Sequence, residues 1–70
     1  MNYIEIKKQL EESLLYSQSE QCLVNEKISL SQIYSDKTED EIDAMARENI
    51  SASINILKRH IQYLEQCLKR

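Results

Sequence analysis

The stretch SINILKRHIQYLEQCLKR, residues 53–70, decides the fold. Ile54, Leu57, Ile61, Leu64 and Leu68 recur in it at steps of three and four, the spacing that gathers side chains on one stripe of an α-helix. Ile50 continues the stripe one turn earlier. At 100° per residue these six positions fall within a sector of about 80°. Ile54, Ile61 and Leu68 take the a positions of a heptad, and Ile50, Leu57 and Leu64 the d positions. Ala46 and Ser53 lie beside the seam and are small enough to let another helix come close. Ile56, Tyr63 and Cys67 widen the apolar surface on one flank.

Upstream, SDKTEDEIDAM (residues 35–45) sets where this helix begins. Thr38 followed by Glu41 is a capping box, in which each side chain satisfies a backbone N–H at the other position. Glu39, Asp40, Glu41 and Asp43 put negative charge at the positive end of the helix dipole, and Lys69 and Arg70 complement the other end. The reading is a helix over about 39–69. A second, earlier helix over about 2–34, with Asn2 as its cap, joins it through a short loop around Ser35, Asp36 and Lys37. A short connection makes the two antiparallel neighbours. The expected fold is therefore all-α: a single domain over 1–70 built as a two-helix antiparallel hairpin, with arms of about 45 Å.

Composition agrees with that class. The 70 residues include no Gly and no Pro, so helix breaks and positive-φ turns have no ready residue. Four tyrosines are the only aromatics, and no stretch sustains the alternation of a strand. The net charge of −3 is unevenly spread: residues 36–48 hold six acids and two bases, residues 49–70 four bases and one acid. Nucleic-acid binding needs a basic stripe that is missing here. Neither a leader segment nor a membrane-spanning run is evident, so a cytoplasmic protein that leaves membranes alone is expected. Cys22 and Cys67 fall about 24 Å apart along such a hairpin, far beyond disulfide reach, and are expected to be free thiols.

No catalytic or cofactor chemistry is written in the chain. His60 is the single histidine and has no neighbouring ligand pattern. Asp36, Asp40 and Glu41 lack the central Gly and distant Glu of a calcium loop. No Gly-rich phosphate loop can be built, and a helical pair encloses no substrate pocket. The expectation is a non-enzyme without metal or cofactor.

The first arm carries two stripes. Ile6, Leu10, Leu14, Val24 and Ile28 form one, interrupted by Ser17 and Gln21. It is expected to close the intramolecular seam on Ile50, Ile54, Leu57, Ile61, Leu64 and Leu68. Tyr16, Leu23, Leu30 and Tyr34 form the other, nearly opposite. A helix in a hairpin has one neighbour, so this second stripe, with Ile4 and Leu15 from the flank of the first, is expected to face another protein. A core of this size rarely supplies more than about 3–5 kcal/mol alone, which also favours association.

The segment ARENISASINILKRHIQYLEQCLK, with small residues Ala46, Ser51, Ala52 and Ser53 ahead of Ile54, Ile56, Leu57 and Tyr63, resembles the second helix of the small co-chaperones of type III secretion needle subunits. The resemblance extends to a polar first helix and a short turn. It implies a protein that binds a tetratricopeptide-type chaperone and helps keep the needle subunit soluble and unpolymerised, a virulence-associated role. The needle subunits themselves resemble one another by a Pro-containing turn, which this chain lacks. The alternative is a regulatory protein whose hairpins pair as a homodimeric four-helix bundle.

Overall fold

The computed structural model describes residues 2–69, and Arg70, expected to complement the helix dipole, lies outside them. Among these residues the chain is all-helical, with three helices and no strand: α1 (Tyr3–Ser17), α2 (Glu20–Ile33) and α3 (Glu39–Leu68). Both α1 and α2 pack along α3.

The helix starts follow from side chains that accept orphan backbone N–H groups. Asn2 Oδ1 accepts from Ile4 and Glu5 at 3.1 and 3.3 Å. At α3, the Glu41 N–H donates to Thr38 Oγ1 at 3.2 Å while the Thr38 N–H donates to Glu41 Oε1 at 3.0 Å, completing the expected capping box. The α2–α3 connection runs from Tyr34 to Thr38 without a positive-φ residue.

The expected single helix over 2–34 is corrected to two. Ser19 adopts an extended conformation (φ −85°, ψ 157°) and accepts from the Cys22 N–H at 3.2 Å as the N-cap of α2. Its hydroxyl also donates to the Tyr16 carbonyl, and the Ser17 hydroxyl donates to Ser13 at 2.9 Å. Such local bonds give the backbone an alternative to the helical ladder. An unbroken helix would also carry Gln21 round to the seam, where its amide must be desolvated. With the break, Gln21 is exposed and bonds Asn25 at 2.9 Å.

The break changes what is buried. Measured at 100° per residue, the inward direction of α2 is turned by roughly 150° from that of α1. Leu30 is 6% exposed and forms a buried cluster with Ile42 and Ala46, against which Leu23 and Met45 pack. Leu23 and Leu30 thus belong to the intramolecular core rather than to a partner-facing stripe. Val24 and Ile28, expected in the seam, are 47% and 53% exposed. On α3 the seam keeps its expected face. Ile61 and Leu64 are buried, Ile50, Ile54 and Leu57 half-buried, and Leu68 is exposed where the arm runs out. Leu10, Leu14 and Ile6 are half-buried against it.

The molecule is slender, with extents of 51 × 18 × 15 Å and a radius of gyration of 15.1 Å, against about 11 Å for a compact chain of this length. Its accessible surface of 5593 Å² exceeds the roughly 4,600 Å² of a compact protein of this mass by about 1,000 Å².

Candidate protein-binding faces

Two polar contacts mark the long edges of the turn end. On one, Asp43 lies between Lys27 at 3.4 Å and Arg47 at 2.8 Å. On the other, Asn49 Nδ2 donates to Glu26 Oε1 at 3.3 Å. Hydrogen bonding to Arg47, then Lys27, holds the Asp43 carboxyl below the usual carboxylate range. The N-cap does the same for Glu41, chiefly through the Thr38 backbone N–H.

The Lys27 edge carries the first face. Val24, Lys27, Ile28, Ser31, Gln32 and Glu39 line an open groove of about 430 Å³ there. From the inward direction of their own helices, Val24 and Ile28 lie about 110–150° round, and Ile4 and Leu15 on α1 the same distance round in the same sense. All four are exposed. The two helices run the same way against α3, so the break aligns four residues that a straight helix would set far apart in angle. A contact on the opposite side confirms this alignment: Asn25 Nδ2 donates to Tyr16 Oη at 2.8 Å across the break.

Of the residues expected to face a partner, Ile4, Leu15, Tyr16 and Tyr34 are exposed and Leu23 and Leu30 are not. The exposed four do not form one face. Tyr16 is held to Asn25 on the far side from Leu15, and Tyr34 ends α2, its N–H donating to the Leu30 carbonyl at 2.8 Å. A single helical phase over the whole first arm places Val24 and Ile28 in the seam, and the change of phase at the break moves them to this face. The interruption at Ser17 and Gln21, and a second stripe that gathers its leucines only from residue 23 onward, were the available signals.

The Asn49 edge carries the second face. Met45, Asn49, Ala52, Ile56, Arg59 and Tyr63 follow one another along α3 at steps of four and three. Ile56 and Tyr63 are 47% and 65% exposed. Cys67, one turn beyond, pushes the Tyr63 phenol up through their hydrogen bond. Nearer the open end, Tyr3, Ile6, Leu10, His60, Tyr63 and Leu64 line an apolar cleft of about 310 Å³. Cys22 and Cys67 are free thiols, as expected. Among the described residues, no cluster of three potential metal ligands occurs, and no helix is long and apolar enough to cross a membrane.

Compared with protein-family models, curated proteins and solved structures, the chain matches none.

Proposed function

We propose that this chain is a protein-binding module acting as a small co-chaperone. Its first arm would dock on a tetratricopeptide-type chaperone, and the pair would keep a type III secretion needle subunit unpolymerised in the cytoplasm. The observation carrying the binding role is the alignment of Ile4, Leu15, Val24 and Ile28 on one side of the broken arm, beside the groove at Lys27. The excess surface of about 1,000 Å² supports it, being close to the roughly 800 Å² that each partner contributes to a standard interface. The identity of the partner rests on the resemblance carried by residues 46–64.

A helical groove is the natural receptor for such a stripe, since four apolar residues on one side of a rod present ridges that another helical pair can enclose. Val24→Glu with Ile28→Glu places two charges in that contact while changing only exposed positions. Co-expressed with a tetratricopeptide chaperone and its needle subunit, the wild-type chain is expected to co-purify with them, and the double variant to lose at least about tenfold in recovery with unchanged helicity. Equal recovery of the variant would remove the first arm from the interface. Failure of the wild type to co-purify would remove the chaperone as partner.

A further inference from the structure

We propose that two copies of this chain also pair with each other through the Asn49 edge of α3, antiparallel about a two-fold axis level with Ile54. This goes beyond the chaperone contact, because it uses the opposite edge of the molecule. The steps from Met45 to Tyr63 run four, three, four, three, four, the a/d alternation of a second heptad seam behind the intramolecular one. The series is palindromic. Turned about residue 54, Met45 meets the partner's Tyr63, Ala52 meets the partner's Ile56, and Asn49 meets the partner's Arg59. Each facing pair joins an a to a d position, the pairing that antiparallel helices require. Ala52 against Ile56 sets small against large, and Ser53 on the flank of the stripe allows close approach.

Charge fixes the orientation and the occupant. Among the charges beside this stripe, parallel pairing would set Glu48 beside Glu48 and Arg59 beside Arg59, whereas antiparallel pairing about residue 54 brings each Arg59 next to the partner's Glu48. Arg59 makes no ion pair within the chain among the described residues. The axis brings it to the partner's Asn49, whose neighbours include Glu48 and the hydrogen-bonded Glu26. Within one chain Glu48 and Arg59 are about 16 Å apart along the helix and cannot meet. A polar pair among apolar ones also fixes the register.

The seam is about 27 Å long, so the dimer is modest and depends on concentration. Sedimentation equilibrium of the full chain, up to millimolar concentration, is expected to show the mass rising from 8.3 kDa to twice that. Ala52→Arg should remain monomeric and fully helical, because residue 52 is exposed within the chain. Arg59→Glu should weaken the dimer by about tenfold, and adding Glu48→Arg should restore it to within about threefold of wild type, since the swapped charges meet only between copies. A wild-type chain that stays monomeric throughout overturns the proposal. So does a dimer that tolerates Ala52→Arg, or a double swap no stronger than Arg59→Glu. None of these results touches the co-purification read through Val24 and Ile28.

Discussion

The two arms contain similar lengths of helix-forming sequence yet are built differently. α3 runs unbroken for 30 residues, carrying one seam at one helical phase from Ile42 to Leu64. The first arm spends its length on two helices of 15 and 14 residues joined at Gln18 and Ser19, each with its own phase. In α3 the capping box, the acidic first turn and the seam all specify one start, and the seam keeps its phase through Asn49, Ser51, Ser53 and Asn55. In the first arm the serine hydroxyls at 13–19 offer the backbone local bonds where the seam has already lost its apolar residues to Ser17 and Gln21. A helix persists where side-chain chemistry and hydrophobic phase agree, and it breaks where they part. Here the break delivers Leu23 and Leu30 to Ile42 and Ala46 and leaves Val24 and Ile28 in water.

The sharpest way to break that contrast is within α2 itself. Leu30→Ala removes a buried side chain from the cluster α2 shares with α3's first turns, and is expected to cost about 2–4 kcal/mol in denaturant unfolding. Ile28→Ala, at a position 53% exposed, is expected to cost under about 0.5 kcal/mol. The reverse order would mean that the first arm is a straight helix.

The caps sharpen it next. Thr38→Ala should lower stability by about 1 kcal/mol through loss of the reciprocal bonds with Glu41. Ser19→Ala should cost less, about 0.5 kcal/mol, because Ala is the better residue for a helix that tries to run on. A Ser19→Ala chain more stable than wild type would show that a continuous arm packs as well as the broken one, and the phase change would lose its physical basis.

Much of this contrast was legible in residues. The Thr38–Glu41 box, the Asn2 cap and the α3 seam are short-range or strictly periodic signals, and each is found where its chemistry places it. The break was not legible in the same way. Ser19 as a cap competes with Ser13, Ser17, Ser29 and Ser31, and only the tertiary preference for burying Leu23 and Leu30 selects it. The candidate faces inherit that difficulty. Ile4 and Leu15 were recognisable as spare apolar residues, but their alignment with Val24 and Ile28 depends on a rotation of roughly 150° that no single-phase reading contains. The second α3 stripe was visible as the flank of Ile56 and Tyr63, while its palindromic order becomes meaningful once Asn49 and Glu26 show which edge it occupies.

Acid should separate the arms by the smallest and most local effect. The carboxyls of Glu41 and Asp43, both at the start of α3, are held below their ordinary range by Thr38 and by Arg47 with Lys27. A carboxyl depressed in the folded state contributes stability that is fully present above its unfolded value, near pH 4, and is lost as pH falls through the folded value. The melting temperature should therefore be flat from about pH 7 to pH 5 on account of these two groups and fall below about pH 4. Both side chains face solvent, so salt screens part of the effect. Asp43→Asn removes one of the two groups and should flatten the acid limb of the melting curve, lowering the plateau slightly at neutral pH. An Asp43→Asn chain with the same acid limb as wild type would place the acid sensitivity elsewhere, and the Lys27–Asp43–Arg47 edge would then be a solvated surface contact that leaves the joining of α2 to α3 to the apolar cluster around Leu30, Ile42 and Ala46 and to the Asn49–Glu26 bond.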